Sequence, residues 1–211
     1  MKHFTLEDIL EQETIYKANF INSITGYKPG NLIGTKSEDG ITNLAIFSSI
    51  VHLGANPPLL GFVLRPAQEV PRNTYENIKS TGYFTVNHIH ESFIEKAHFT
   101  SAKFDSRISE FEACQLTEEY IDDFLPPFVK ESQIKIGLKY EDEFLIPQNN
   151  CTFIIGSMQH IILPEETISE NGSINLNLAE SVTISGLDTY HKVHKIESFP
   201  FARPTNLPIF K

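Results

Sequence analysis

Alternation is the strongest signal along this chain. From Gln133 to Tyr140 every second residue is apolar or aromatic: Ile134, Ile136, Leu138 and Tyr140. Such residues share one face of an extended segment. Tyr83 to His88, YFTVNH, alternates too and is rich in the aromatic and β-branched types that suit a pleated surface. Leu32 to Thr35 predicts a strand, Glu38-Asp39-Gly40 a turn, and the segment from Thr42 a returning strand. The run LLGFVLRP after Pro57-Pro58 predicts a central strand. Cys151 to Leu163 predicts a long strand bent at Gly156. Asn171-Gly172 predicts a hairpin turn ahead of SINLNL.

The helical signals are shorter. One helix is predicted near Leu6–Gln12, followed by an extended arm, with a turn over Gly26–Gly30. A second covers Asn73 to Ser80, with Asn73 as N-cap, Glu76 as its capping-box partner and Gly82 past the end. Glu91–Phe99 and the shorter Ser106–Ala113 follow. The segment Ser185–Lys211 carries three prolines and several aromatic residues, and predicts an ordered wrap on a surface. Strands outweigh helices, which predicts a mainly β fold, an antiparallel barrel with short helical insertions. No repeat or linker divides the chain, so residues 1–211 are expected to form a single domain with its core over about 20–190 and a C-terminal wrap over 191–211.

Composition narrows the partners. The net charge is −10 and no cluster of Lys and Arg appears, which argues against nucleic acid and against an anionic membrane surface. No apolar run reaches transmembrane length, and the acidic N-terminus lacks a signal-peptide core, so a cytoplasmic location is expected. Cys114 and Cys151 lie far apart and form no CxxC pair.

Familiar catalytic signatures are missing. The chain holds no G-x-G-x-x-G, no P-loop, no G-x-S-x-G and no H-E-x-x-H. His88 and His90 could share a strand face, and His191 and His194 could pair on a helix, but no nearby carboxylate or cysteine completes a metal site. No metal is therefore expected. Either the protein is not an enzyme, or its reactive group comes from a cofactor.

NLAIFSSIVHLGANPPLLGF, residues 43–62, sets Asn43, Ser48, Ser49 and His52 among apolar residues. FMN would need that mixture: apolar packing for its ring and a few small polar groups for the ring's polar edge. Its phosphate would need cations and hydroxyls, ideally at a helix N-terminus. Arg65, Arg72 and then Asn73-Thr74 offer that combination.

Several landmarks occur in a fixed order. They are Asn43-x-Ala45-x-x-Ser48, Pro57-Pro58-Leu59, Thr74-x-x-Asn77-Ile78-x-x-Thr81-Gly82-x-Phe84-x-Val86-Asn87, Thr100-Ser101-Ala102 and Ser109-Glu110-Phe111-Glu112. This ordered set resembles the flavin reductase-like, FMN-binding split-barrel family, which includes the flavoredoxins. The likeness is strong over residues 30 to about 117 and weaker to Tyr190, where Gly186-Leu187-x-x-Tyr190 matches a terminal G-x-x-Y. The sequence departs from the family at Ile46-Phe47, where a proline is common, and at Arg72-Asn73-Thr74, where many relatives have Lys-Asp-Thr. Arg keeps the charge and can grip phosphate through two bonds.

The resemblance implies a Greek-key antiparallel split β-barrel, a homodimer, and FMN held near the subunit interface. By position, Asn43, Ala45, Ser48 and Ser49 would line the ring and ribityl region. Arg72, Asn73 and Thr74 would hold the phosphate, and Thr100, Ser101 and Ala102 would border the flavin. The implied activity is an oxidoreductase: NADH or NADPH gives hydride to flavin N5, and electrons pass to free flavin or to another small-molecule or protein acceptor. Two other readings are a non-catalytic FMN-binding carrier or store, and a split barrel that has lost FMN.

Overall fold

The structure is a computed structural model that describes residues 1–66 and 73–209. It opens with two helices, α1 (Leu6–Leu10) and α2 (Thr14–Ile24). Thr5 caps α1 through a reciprocal capping box with Asp8. The extended arm predicted after α1 is therefore a helix. TIYKANFINSI spreads its apolar residues round the helix, and neither α1 nor α2 buries a single residue, so no helical stripe marked it in sequence.

Next come β1 (Lys28–Pro29), β2 (Asn31–Lys36), β3 (Thr42–Phe47), β4 (Val51–Ala55) and β5 (Pro58–Leu64). The hairpin of β2 and β3 turns at Gly40, whose φ of +87° favours glycine. The strand β4 was not predicted. Its Val51 and Leu53 are exposed, so the apolar character of those two residues does not mean core. The LLGFVLRP strand is β5, next to the edge strand β4 rather than at the centre.

Then follow α3 (Asn73–Thr81), β6 (Tyr83–His88), a 3-10 turn at Glu91–Phe93, α4 (Ile94–Phe99) and α5 (Glu110–Ala113). Gly82, at φ +76°, ends α3 by donating its N–H to the Ile78 carbonyl (2.9 Å), as its position predicts. Asn73 is itself helical in α3 and so is not its cap. The helix predicted from Ser106 shrinks to α5, because residues 106–109 form a turn.

The rest is β7 (Glu118–Glu119), β8 (Phe128–Val129), β9 (Lys135–Ile146), β10 (Cys151–Ile162), β11 (Thr183–Ser185) and β12 (Thr189–His191). Asn171-Gly172 does turn, with Gly172 at φ +83°. Beyond it SINLNL does not run as a strand. The Asn175 side chain accepts the N–H groups of Asn177 and Leu178 and curls the chain instead.

Seven strands form one antiparallel sheet in the order β3-β2-β6-β9-β10-β5-β4. The register of β9 and β10 shifts at Ile155/Gly156, which is the bend predicted at Gly156. The edge strands β3 and β4 are consecutive in sequence. The Ser49 hydroxyl between them accepts the Val63 N–H and donates to the Val63 carbonyl, both at 3.1 Å. One serine thus ties the β3 end of the sheet to β5 and draws it toward closure. The inner face holds Ile33, Phe62, Phe84, Val86, Leu138 and Ile154. A second core, on the other face of β2 and β3, packs Leu32 and Leu44 against Phe93, Ala97, Phe111 and Ile184.

Candidate functional site

The strand β3 is the axis of the site. Strand alternation sends Asn43, Ala45 and Phe47 to one face and Leu44 and Ile46 to the other. On the first face lies α3. Thr74 and Asn77, three residues apart, share one side of that helix. Asn43 Nδ2 donates to Thr74 Oγ1 (3.1 Å), and Asn77 Nδ2 donates to Thr35 Oγ1 of β2 (3.0 Å). All four residues are buried. The motif Thr74-x-x-Asn77 is therefore a clamp that fixes the start of α3 to the hairpin. The Thr74 hydroxyl accepts from Asn43, which leaves its own proton to give.

Beyond Phe47 the chain stays half-buried from Ala45 to Ile50. The Ser48 hydroxyl has no hydrogen-bond partner among the described residues, whereas the Ser49 hydroxyl is engaged by β5. Phe47 packs edge-on against Phe62 at 5.1 Å and floors this ledge with apolar surface. Arg65, two residues past Val63, is exposed. Lys28 lies within its field. The Lys28 amino group donates to the carbonyls of Asn22 (3.0 Å) and Gly186 (2.7 Å), and burial, with Arg65 adding to it, lowers its pKa. This end of the barrel therefore carries positive charge on an otherwise acidic chain. Sequence reasoning missed Lys28, since a lysine between a glycine turn and a proline shows no pattern.

The opposite face of β3 belongs to α4 and α5. Glu110, at the start of α5, is buried, and its Oε2 accepts the Leu44 N–H at 2.9 Å. Burial raises the pKa of this carboxyl, and the Leu44 N–H partly offsets it. Because β3 is an edge strand, Glu110 fills a hydrogen-bond position that a further strand would otherwise take. The sequence flagged Ser109-Glu110-Phe111-Glu112 only as a resemblance and did not show what Glu110 does.

The ten predicted site residues are therefore not all gathered together. Asn43 meets Thr74, Ala45 shares the face of β3 with Asn43, Asn73 precedes Thr74 in α3, and Ser48 follows at the end of β3. Arg72 lies outside the described residues. Ser49 serves barrel closure. Thr100, Ser101 and Ala102 follow α4, whose core face packs on the other side of β3. The Thr100 hydroxyl, buried, donates to Ala97 O (2.8 Å), and the exposed Ser101 hydroxyl donates to His98 O (2.7 Å). Ala102 is exposed. Nearby, His98 Nδ1 and Tyr190 Oη lie 3.0 Å apart and join α4 to β12. Burial, then the Asp188 charge, pushes the Tyr190 hydroxyl up to about 12.

Three of the histidines have local partners. His88 contacts Ser181, His90 contacts Ser92 and Glu180, and His191 contacts Ser185. Among the described residues no group of three or more His, Cys, Asp or Glu is placed to hold a metal ion. No helix among them is long and apolar enough to cross a membrane.

The structure is a mainly β antiparallel split barrel with a polar ledge at the end of one edge strand. The chain belongs to the flavin reductase like domain family, whose match covers residues 28–178. It is similar to the crystal structure of a split-barrel protein of Shewanella frigidimarina provisionally assigned as a flavin reductase. The two are 44% identical with a TM-score of 0.92, over 96% of this chain and 100% of that one. The flavoredoxin of Desulfovibrio vulgaris (Miyazaki F) shares the fold at 21% identity and a TM-score of 0.72, over 83% of this chain and 92% of that one. An FMN-binding protein of Thermus thermophilus shares it at 14% identity and a TM-score of 0.69, over 83% of this chain and 91% of that one.

Proposed function

We propose that this protein is an FMN-dependent oxidoreductase that takes reducing equivalents from NADH or NADPH and passes them to free flavin or another acceptor. The observation that carries this reading is the ledge along Ala45–Ile50, half-buried and floored by Phe47, which ends beside the Asn43–Thr74 clamp. It fits FMN by its donor set. Ala45 is small enough to let a planar ring approach the strand, and Ser48 has a hydroxyl free to bond the ring's polar edge. Thr74 keeps a proton to donate at the start of α3, where backbone N–H groups favour an anion. Arg72, next to Asn73 in sequence, would add the cation that a phosphate requires.

Bound FMN would supply the redox chemistry, which accounts for the absence of a nucleophile or metal set among these residues. The chain's own contribution is binding and orientation. Asn43 ties α3 to β3 and Asn77 ties it to β2, and Glu110 holds the β3 backbone from behind. The cations Lys28 and Arg65 make the neighbourhood favourable for an anionic ligand. We read the working unit as a homodimer in the cytoplasm.

The test is an absorption spectrum of protein purified with FMN, repeated anaerobically after NADH and after NADPH. Retained flavin bands that bleach with one of the nucleotides are expected. Bands that bleach only with dithionite would make the protein a carrier. A preparation that holds no flavin would end the proposal.

A further inference from the structure

We infer that the two ends of the chain form a docking surface for a second copy, with the C-terminal tail of each copy lying along the N-terminal helices α1 and α2 of the other. This rests on the homodimer reading and says which segments make the contact.

Both ends are apolar and uncovered. Leu6, Leu10, Ile15 and Ile24 in the helices are each at least 60% exposed, and α1 and α2 bury nothing. In the tail Ile196 is 98% exposed, Phe199 81%, Phe201 86% and Ile209 96%. Single exposed apolar residues are ordinary, but contiguous sets mark a surface that meets another. Within one chain the two ends do not cover each other, since both stay exposed.

Their roots are fixed and adjacent. Lys192 pairs with Glu91 (2.7 Å), and the Lys195 N–H donates to Asn177 Oδ1 (3.3 Å), so the tail is anchored up to that point. The Tyr27 ring, just past α2, meets the His191 ring at 4.8 Å, and Lys28 bonds both Asn22 and Gly186. The two ends thus leave from one corner of the molecule. In a twofold dimer a corner meets its own copy, and each tail can reach the partner's helices reciprocally. Pro200, Pro204 and Pro208 leave the tail with one 3-10 turn, Pro204–Asn206, and no longer element of its own. Extended, its residues 196–209 could span about 45 Å, against roughly 16 Å for the length of α2.

Charge selects the pairing. Residues 1–25 carry Glu7, Asp8, Glu11 and Glu13 against Lys2 and Lys17. The tail carries Lys195, Arg203 and Lys211 against Glu197. Acidic helices and a basic tail complement each other across the twofold axis. Acidic helices also disfavour an anionic lipid surface.

Two experiments on the full chain test this. Phe199→Ser/Phe201→Ser changes exposed side chains and leaves the fold intact, which circular dichroism checks. By sedimentation equilibrium the unaltered chain is expected to be a dimer, and the variant to dissociate about a hundredfold more readily, as loss of two aromatic anchors implies. Separately, Leu10→Cys chains mixed with Phe201→Cys chains should form a disulfide between chains; the native Cys114 and Cys151 are buried. A dimer of unchanged affinity in the serine variant, with no cross-link in the mixture, would overturn the inference and leave the dimer standing. A monomeric unaltered chain would overturn both, and binding of that monomer to lipid vesicles would assign the ends to a membrane instead. Flavin content, read from the same samples, reports on the FMN proposal independently.

Discussion

At the scale of single residues, the candidate site is held by amide–hydroxyl bonds rather than by charge. Asn43 is the critical one, because its side chain joins β3 to α3 inside the fold. Replacing it with Ala removes one hydrogen bond and leaves the Thr74 hydroxyl buried without its donor. The expected cost is about 1–3 kcal/mol of stability, read as a lower urea midpoint without flavin, and FMN should bind more weakly in parallel. A loss of FMN affinity at unchanged stability would move Asn43 from the frame of the site to the ligand itself. The sequence made Asn43 and Ser48 visible because small polar residues stand out in an apolar stretch, and Asn73 and Thr74 because they open a helix beside Arg72. It could not distinguish Ser48 from Ser49. They are neighbours of one type, and only the pairing of Ser49 with Val63, fourteen residues on, separates a free hydroxyl from one that closes the barrel. Lys28 was invisible for a similar reason: its meaning comes from Gly186, which is 158 positions away.

At the scale of elements, the bend in β10 shows how a glycine shapes the sheet. A Cβ at Gly156 would stand 2.6 Å from Phe84 Cζ and 3.2 Å from Leu138 Cβ, and the Phe84 ring is itself locked against Phe62 at 5.6 Å. The ring cannot yield without disturbing the inner core. Gly156→Ala is therefore expected to destabilise by about 1–3 kcal/mol through overpacking. Gly54→Ala in β4, where the nearest atom lies at 3.4 Å, should be close to neutral. Thermal unfolding of the two variants decides this, and equal midpoints would show that the core is looser than its contacts imply. The strands of the inner core were legible because alternation records burial directly. The misses share another cause. The helix α2 and the strand β4 bury little or nothing, so neither leaves the periodic stripe from which an element is read.

At the scale of the whole molecule, stability should depend on pH through two groups, half-buried His88 and buried Glu110, that act with opposite sign. His88 Nδ1 contacts the Ser181 hydroxyl at 3.1 Å, and burial lowers the pKa of its ring from 6.5 to about 4. Between those values the unfolded chain binds a proton that the native ring refuses, so stability falls as the solution is acidified from pH 6.5 toward 4. The shift corresponds to roughly 3 kcal/mol at its full extent. Glu110 acts the other way. Its pKa is raised above 4.5, so the native state takes up its proton first, and acidification through that window relieves the cost of a buried charge. The His88 effect is the larger, because nothing at that ring opposes the penalty of burial, whereas the Leu44 N–H compensates part of it at Glu110. A net loss of stability from pH 6.5 to 4.5 is expected. His88→Gln can keep a hydrogen bond to Ser181 but cannot titrate, so it should flatten that slope, whatever it does to stability at pH 7. Glu110→Gln can still accept the Leu44 N–H and should steepen the slope. Urea midpoints measured across this range for the three proteins test both signs at once. A slope in His88→Gln as steep as in the unaltered chain would show that the acid sensitivity comes from elsewhere in the molecule.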